Sequence, residues 1–370
     1  MIVKSNKKLE RKFKSILIIQ LGDIGDVVWA TPTFRAVKET YPRANVSVLL
    51  REGFGSLLEA DPHIHKIFEV NQYKGNLLKK AKKQIEFIRG LRAEHFDLVF
   101  DLRSDDRGAY MALLSGAPIR AALLYRGLKW RNFLFTHLAV PLPPKKRIYG
   151  AAEQSLLVVR GFGIDTEDGI PKLWISEKVR DSVNQLLDRE GVTAMARWIT
   201  INPFSRWQYK EWGYEKWVQI IDWLREKYGI STVIVGATGE REKSIDIAKK
   251  CHEQVFNLTG RTTLSELAAV LNLSSLHIGV DSAAPQIAAA VGTPTITIYG
   301  PSVWSEWAPL GEMHSVITPD RDCAPCHHKG CNDSGISKCL EELTVDKVKE
   351  AIQKFLGNNS KIPIKSIPLA

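Results

Sequence analysis

The sequence predicts an α/β protein of two Rossmann-like, doubly wound domains that face each other across a cleft. Its 370 residues are too many for one ordinary core and suit two domains of about 100–200 residues each. Short apolar runs alternate with amphipathic stretches in two successive sections, a pattern typical of parallel strands joined by crossover helices. A hydrophobic fraction of 44% and a charged fraction of 25% indicate a folded globular chain.

The first section contains strand candidates separated by helical periodicity. The strands are predicted at Ile16–Gln20, Val46–Leu50, Lys66–Val70, Asp97–Asp101 and Arg120–Tyr125, with helices at Val27–Thr40 and Leu77–Arg92. We assign residues 1–165 to an amino-terminal domain. A linker and helix are expected over residues 166–195.

The second section repeats the alternation, which predicts a second parallel sheet. Its strands are predicted at Trp198–Asn202, Thr232–Gly236, Val255–Asn257, Leu276–Val280 and Thr295–Tyr299. Helices are predicted at Tyr214–Lys227, Glu240–Cys251, Ser265–Leu271 and Pro285–Val291. We assign residues 196–342 to this domain and expect residues 343–370 to form a terminal helix and tail that pack back on the first domain.

The basic charge lies in one half of the chain. Residues 1–165 hold 28 Lys and Arg against 16 Asp and Glu, and the remainder holds 23 against 25. Either a solvated surface or an anionic partner accounts for such an excess. No run reaches the roughly 18 apolar residues of a membrane span, and a strand rather than an apolar signal region follows the basic start. We therefore expect a soluble protein that is not exported.

The first chemical motif runs from Ile18 to Asp26, a strand that passes through a glycine turn into a helix. Gly22 and Gly25 do not complete the G-x-G-x-x-G pattern of dinucleotide sites. Asp26 has two readings, as a helix cap or as a carboxylate at a strand end that accepts a proton. As a base at a helix start, it is expected to have a pKa lowered by the helix dipole.

Two further motifs follow strands of the second section. The segment Asn202–Trp212 contains Ser205, Arg206 and Lys210 within six residues, a set suited to binding a diphosphate. A surface loop that carries two cations is the alternative interpretation. Gly279–Gln286 predicts a strand, a cap and a helix with proline in its first turn, and the free N–H groups of such a helix start bind anions.

Together these motifs resemble glycosyltransferase family 9, the ADP-heptose:lipopolysaccharide heptosyltransferases, whose two Rossmann-like domains form the fold called GT-B. The resemblance runs from about residue 15 to the helix near 343–356. It is carried by Gly25-Asp26, by Arg206-Trp207-x-x-Lys210-x-Trp212 and by the block from Asp281 to Pro301. The order of the three pieces is more specific than any one of them.

The resemblance implies roles for individual residues. Asp26 would be the catalytic base of an inverting transfer that needs no metal. Donor-binding residues would be Ser205, Lys210, Glu240, Thr262, Asp281, Ser282, Ala283 and Gln286. Lys210 would contact the diphosphate, Glu240 the ribose and Thr262 the region of the base. The donor would be ADP-heptose and the acceptor an anionic lipopolysaccharide inner core.

The chain departs from the family in one motif. Where the family has Asp-Thr-Gly-x-x-His, this sequence has Asp281-Ser282-Ala283-Ala284-Pro285-Gln286. Gln286 can donate a hydrogen bond but cannot carry the charge of an imidazolium. The identity of the donor sugar is therefore open, and transfer from another nucleotide sugar is the alternative.

An anionic, membrane-held acceptor would explain the charge of the first half. We expect it to be bound by the basic side chains Lys79, Lys83, Arg120 and Arg126, with the protein in the cytoplasm and in peripheral contact with the inner membrane. The rivals are a nicotinamide-dependent oxidoreductase that uses Arg51 for a 2′-phosphate and a zinc-bearing nucleic-acid binder. The second rival leaves the phosphate-type motifs of the less basic half unexplained, and no nucleic-acid partner is expected.

Four of the five cysteines lie close together, at Cys323, Cys326, Cys331 and Cys339. Their spacing permits a structural zinc but does not match the usual paired C-x-x-C repeats. Disulfides and reduced packing thiols are the alternatives. A chain of this size with so few cysteines is not a secreted disulfide scaffold, so a reducing compartment is expected.

Overall fold

The computed structural model describes residues 3–4, 6–71, 76–103, 105–125, 127, 129–141, 150–195 and 197–358. The chain divides into two compact units, Met1–Trp174 and Ile175–Ala370. The division falls inside residues 166–195, which the sequence assigns to a linker and helix. Each unit contains one parallel sheet with crossover helices, so the predicted α/β class is confirmed.

The described strands of the first unit form one seven-stranded parallel sheet in the order β1-β7-β6-β5-β2-β3-β4. They are β1 (Val3–Lys4), β2 (Ser15–Ile19), β3 (Asn45–Arg51), β4 (Lys66–Val70), β5 (Leu98–Asp101), β6 (Ile119–Leu123) and β7 (His137–Ala139). The helices between and after them are α1 (Ile24–Thr40), α2 (Leu77–Ala93), α3 (Asp106–Leu114), α4 (Lys129–Asn132) and α5 (Gly150–Arg160).

The described strands of the second unit form a six-stranded parallel sheet in the order β10-β9-β8-β11-β12-β13. They are β8 (Trp198–Asn202), β9 (Ser231–Ile234), β10 (Val255–Asn257), β11 (His277–Val280), β12 (Thr295–Ile298) and β13 (His314–Ile317). The helices are α6 (Glu177–Arg189), α7 (Tyr214–Tyr228), α8 (Arg241–Lys250), α9 (Leu264–Leu273), α10 (Ala283–Ala290), α11 (Trp304–Trp307), α12 (Lys338–Glu342) and α13 (Val345–Asn358).

The central strands of both sheets are buried along almost their whole length. Residues 16–19 of β2 and all residues of β8 are buried. Because successive strand residues point to opposite faces, this burial means that both faces of each sheet are covered. The apolar runs that predicted these strands in the sequence are therefore the centres of the two cores.

In each sheet the strand order reverses at one point beside a central strand, and this point predicts where a ligand binds. In the first unit the chain proceeds from β2 outward through β3 and β4, then returns to β5 on the other side of β2. In the second unit β8 and β11 hold the same relation. Ligands of open parallel sheets bind outside the carboxyl ends of strands at such a switch point. The residues that follow β2, β5, β8 and β11 are therefore the site candidates.

The carboxy-terminal helix α13 lies in the core of the second unit. Its side chains Val348, Ile352 and Phe355 are buried in the cluster that also contains Trp217 of α7. The expectation that residues 343–370 pack back on the first domain stays a prediction.

Two strands that the sequence did not predict are β7, which pairs with both β1 and β6, and β13, which lies at the edge of the second sheet. Both are short and carry a histidine at their first residue, so neither shows the apolar run or the strict alternation that identifies a strand. Across the described residues, no helix combines the length and apolar character that a bilayer span requires.

Candidate functional site

Asp26 lies in the first turn of α1, at the switch point of the first sheet. Helix α1 has Asp23 as its N-cap, and Asp26 is its third residue. The Asp26 carboxylate turns back and its Oδ2 accepts a hydrogen bond of 2.8 Å from the Asp23 amide. A Cβ atom at Gly22 would stand 2.4 Å from that oxygen. The glycine before α1 is thus required by the close approach of the Asp26 carboxylate.

Arg103, which the sequence reading missed, is the ionic partner of Asp26. It follows β5, the strand beside β2, and its Nη1 lies 2.5 Å from Asp26 Oδ2. Its Nε lies 3.7 Å from Asp105, the residue whose side chain caps α3. The two strand ends therefore bring together a carboxylate and a guanidinium that are 77 residues apart in the chain.

The pKa of Asp26 is raised above the ordinary aspartate value, chiefly because burial penalises the charged carboxylate. The charge of Arg103 and the hydrogen bond from Asp23 oppose this shift but do not reverse it. The sequence-based expectation of a lowered pKa was wrong, since it counted the helix dipole and left out desolvation. A raised pKa brings a carboxylate closer to the basicity that proton transfer near neutral pH requires.

Arg51 and Asp23 form a neighbouring pair at the same sheet edge. Arg51 Nη1 lies 2.6 Å from Asp23 Oδ1, and Arg51 Nε donates a 2.7 Å hydrogen bond to the carbonyl of Leu21. These contacts fix the turn that precedes α1. They also occupy the cation that a nicotinamide-dependent oxidoreductase would need for a 2′-phosphate, so this geometry does not favour that rival.

In the second unit, Lys210 and Asp281 meet at the switch point between β8 and β11. Lys210 Nζ lies 2.7 Å from Asp281 Oδ2, and both side chains are largely buried. Ser205 Oγ donates a 3.2 Å hydrogen bond to the Asp281 carbonyl, which joins the two loops. Ser205, Lys210 and Asp281, which belong to two separate sequence motifs, are thus in contact with one another through Asp281.

The start of α10 adds an anion-binding surface beside this pair. Ser282 is the N-cap of α10, and within the described residues its Oγ is buried without a hydrogen-bond partner. The amide groups of the first helical turn have no intrahelical partners, and the dipole places partial positive charge at this end. A phosphate group here would satisfy both the hydroxyl and the amides.

Glu240 follows β9 and is held in a fixed position. Its Oε2 accepts a 2.6 Å hydrogen bond from the Ala237 amide, and burial raises its pKa. Glu211, a residue that the sequence reading did not single out, organises the neighbouring loop. It accepts hydrogen bonds from the Ser205 amide at 3.0 Å and from the Tyr214 hydroxyl at 2.6 Å. Glu211 therefore fixes the backbone that carries Ser205 and Lys210.

Gln286 is buried on α10, and its Nε2 donates a 2.5 Å hydrogen bond to the carbonyl of Trp307. It also interacts with the buried Tyr299 hydroxyl. In this arrangement the amide joins α10 to α11, and a donor contact would require that bond to be exchanged. Ala283 begins α10, and Thr262 lies half-buried in the loop before α9.

The four proposed acceptor cations differ in their surroundings. Lys79 and Lys83 are exposed on α2. Arg120 is half-buried, and its Nε donates a 2.8 Å hydrogen bond to the carbonyl of Leu134, so its contacts favour a structural role rather than binding of an acceptor. Arg126 lies outside the described residues.

The cysteine segment contacts the loop that follows β12 in the second unit. The Cys326 amide donates to the Pro301 carbonyl at 3.1 Å, and Cys339 is buried in the core of this unit. The other three thiols lie close enough for their charges to raise the pKa of Cys339, although burial is the main cause. All four are free thiols. Among the described residues no three His, Cys, Asp or Glu side chains are arranged to hold a metal ion.

This burial pattern predicts unequal effects of cysteine replacement. We expect Cys339→Ser to lower the free energy of unfolding by about 1–3 kcal/mol, because a hydroxyl replaces a thiol in the core. Exposed Cys323 should change it by less than about 0.5 kcal/mol when replaced by serine. Urea unfolding measures both values, and kcat of the folded fraction should change little in either variant. Equal large losses for the two variants would instead indicate that a shared metal ion or cross-link holds them.

Comparison with known proteins agrees with the two-sheet architecture and with the family that the motifs resemble. The family model described as "Glycosyltransferase family 9 (heptosyltransferase)" matches residues 84–336. Lipopolysaccharide heptosyltransferase 3 of Escherichia coli K12 is 29% identical over 296 residues, which cover 78% of this chain and 83% of that protein.

Solved structures share the whole fold. A glycosyltransferase family 9 protein from Veillonella parvula has a TM-score of 0.81 at 22% identity, with 96% of this chain and 100% of that chain covered. E. coli ADP-heptose LPS heptosyltransferase II has a TM-score of 0.71 at 20% identity, with 93% and 99% covered. The fold is therefore GT-B. The protein is a glycosyltransferase that belongs to glycosyltransferase family 9, the heptosyltransferases.

Proposed function

We propose that the protein transfers heptose from ADP-heptose to a lipopolysaccharide inner-core acceptor, with inversion at the anomeric carbon and without a metal ion. Family membership supports heptose transfer, and the names of its relatives supply the donor and acceptor classes. The observation that supports the mechanism is the half-buried Asp26 carboxylate beyond the carboxyl end of β2, which has a raised pKa and is paired with Arg103.

In the proposed reaction, Asp26 acts as general base. An acceptor hydroxyl attacks the anomeric carbon of the donor while its proton passes to Asp26. The bond from that carbon to the diphosphate oxygen breaks, and its electron pair leaves with the nucleotide diphosphate. One displacement from the opposite face inverts the anomeric configuration. A pKa raised by burial makes Asp26 a stronger base than an exposed aspartate.

The second unit would stabilise the departing diphosphate. Lys210 supplies a positive charge, and the first turn of α10 supplies amide donors together with the Ser282 hydroxyl. Preorganised donors of this kind lower the barrier because they need no rearrangement as negative charge develops. In the absence of donor Lys210 is paired with Asp281, so donor binding would exchange a carboxylate partner for a diphosphate.

The remaining donor contacts are proposed from the same elements. Glu240, fixed by the Ala237 amide, would accept hydrogen bonds from the ribose hydroxyls. Ser205 and Ala283 would line the diphosphate, and Thr262 would lie by the nucleotide base. Gln286 would reach the donor only after release from the Trp307 carbonyl.

Gln286 is also the observation that favours a second candidate, transfer from a different nucleotide sugar. Gln286 stands where the family has a histidine, and an amide cannot carry the charge of an imidazolium. The contacts of this protein with the donor sugar can therefore differ from those of the family. A thermal-shift comparison of ADP-heptose, ADP-glucose and UDP-glucose separates the two candidates. ADP-heptose should raise Tm most, because bound ligand stabilises the folded state, and NMR of the product should show an inverted anomeric centre.

The acceptor is proposed to bind the first unit, where the basic excess lies. Lys79 and Lys83 are exposed and remain candidates for contacts with phosphate groups of the core, as does Arg126. Such an acceptor would place the protein at the cytoplasmic face of the inner membrane, in peripheral contact with it.

Arg103 gives a pH-dependent test of the base. Its charge lowers the pKa of Asp26, and its removal should raise that pKa further. Because the base acts when deprotonated, activity of Arg103→Gln should be lost at a higher pH on the acid side than in the parent enzyme. The alkaline side should not move. The pH dependence of kcat measures this shift.

Two variants complete this test. Arg107→Gln removes an exposed charge from α3 that is not among the groups that shift the pKa of Asp26, so its acid limb should stay in place. Arg103→Lys keeps a positive charge and should shift less than Arg103→Gln. If all three profiles coincide with that of the parent, Arg103 does not tune the catalytic base.

A further inference from the structure

The two halves of α2 differ in what they contact. Every side chain of residues 78–83 is exposed, including Leu78, which is 81% exposed. Further along, Phe87 and Leu91 pack in the core of the first unit. Packing at its carboxyl half holds this 17-residue helix, whereas the exposed side chains of residues 78–83 take no part in that core.

That composition combines strong positive charge with exposed apolar side chains. Helix α2 carries six basic residues and one acidic residue, with four lysines at positions 79, 80, 82 and 83. Leu78 and Ile85, which is 49% exposed, are seven residues apart and therefore lie on one face, with Ala81 and Lys82 between them. A solvated helix needs no such apolar face. Basic and apolar residues together are typical of helices that lie on an anionic lipid surface.

The topology places this half of α2 on the catalytic side of the first sheet. Strands β2, β3 and β4 are adjacent and parallel, so their carboxyl ends lie at one edge. Asp26 follows β2 at this edge, and α2 follows β4 after a connection of six residues, 71–76. A surface bound to the start of α2 would therefore lie on the same side of the sheet as Asp26.

We propose that residues 78–85 of α2 form a docking surface for an anionic lipid bilayer, with the lysines at the headgroups and Leu78 and Ile85 inserted at the interface. The proposal rests on the proposed function only in that a lipopolysaccharide acceptor would be presented by such a surface. Nucleic acid would satisfy the charge but would leave the two apolar side chains in water, so lipid is the better partner.

The experiment measures binding of the full chain to vesicles by sedimentation. Vesicles contain either equal parts of phosphatidylcholine and phosphatidylglycerol or phosphatidylcholine alone. The parent protein should bind the first and not the second. The variant Leu78→Ser/Lys80→Gln/Lys82→Gln should bind the anionic vesicles about 100-fold more weakly or worse, since each lysine near such a surface contributes about fivefold and a buried leucine about tenfold.

A matched control changes the same kinds of residue in the second unit. Ile336→Ser/Lys178→Gln/Lys249→Gln removes one exposed apolar side chain and two exposed lysines, and its vesicle binding should stay near that of the parent. Equal losses in the two variants, or no loss in the α2 variant, would refute the assignment. Loss of binding to an unrelated duplex DNA, with vesicle binding kept, would assign the surface to nucleic acid instead.

A further measurement separates this inference from the proposed function. The increase of Tm with ADP-heptose should be the same in the α2 variant as in the parent, because the donor residues lie in the second unit. An absent increase in both proteins would count against ADP-heptose as donor and leave the docking surface standing. A normal increase with unchanged vesicle binding would remove the docking surface and leave the donor assignment in place.

Discussion

Replacing Asp26 by asparagine should reduce kcat by roughly 10²–10⁴-fold, the range of general-base assistance, while the fold and the donor affinity stay near those of the parent. The amide oxygen of asparagine can still accept the hydrogen bond from the Asp23 amide. Loss of a cap costs only about 1 kcal/mol of stability and little rate. The structural and catalytic roles of Asp26 are therefore separated by kcat and Tm measured on the same variant.

Asp23→Asn is the matched control for this prediction. Asp23 is the N-cap of the same helix and pairs with Arg51. Because its carboxylate lies outside the Asp26–Arg103 pair, Asp23→Asn should lower kcat much less than Asp26→Asn does. Should Asp26→Asn turn over at the parent rate, Asp26 has only its structural role. The base would then be sought at Asp101 or Asp105, which lie at the end of β5 and at the cap of α3.

Lys210→Met should give the second large effect, a fall in kcat/KM of roughly 10²–10³-fold, comparable with the loss of one preorganised donor to a developing negative charge. The ammonium of Lys210 lies 2.7 Å from Asp281 and would neutralise the leaving diphosphate. Its removal also leaves the largely buried Asp281 carboxylate without this cation, so Tm should fall. Steady-state kinetics and thermal unfolding measure the two effects.

A double variant distinguishes a catalytic role of Lys210 from its role in neutralising the buried Asp281 carboxylate. Lys210→Met/Asp281→Asn removes the uncompensated carboxylate and should recover much of the lost stability, while kcat/KM stays low. Lys243→Met is the charge-matched control, because Lys243 is half-exposed and lies 3.7 Å from Glu211. If the double variant regains parent turnover, Lys210 serves to hold Asp281 and has no direct part in catalysis.

Most of the fold could be predicted because its central strands carry a strong signal. The central strands β2, β5, β8 and β11 lie within about one residue of their predicted bounds, since near-complete burial favours a nearly continuous apolar run. Strands β7 and β13 are shorter and begin with a histidine, and their formation depends on neighbouring strands that the local sequence does not contain.

The site also contains residues that the sequence could predict and residues that only the fold reveals. Asp26, Lys210 and Asp281 could be selected because each lies on the segment that follows a recognisable strand, and strand order then brings them to the switch points. Arg103 could not, because its partnership with Asp26 depends on β2 and β5 being neighbours. The direction of the Asp26 pKa shift also depends on burial, which is a property of the folded unit and not of a helix start.

The place of Gly22 bears on how such a protein could lose its chemistry in evolution. A side chain at position 22 would collide with Asp26, whose Cβ lies 2.5 Å from the added carbon, and the carboxylate would move before the sheet did. Gene duplicates drift by single substitutions, and those that spare stability persist. If Asp26 is the base proposed above, a change at this one glycine would favour a pseudoenzyme, a copy that keeps its architecture and no longer catalyses transfer.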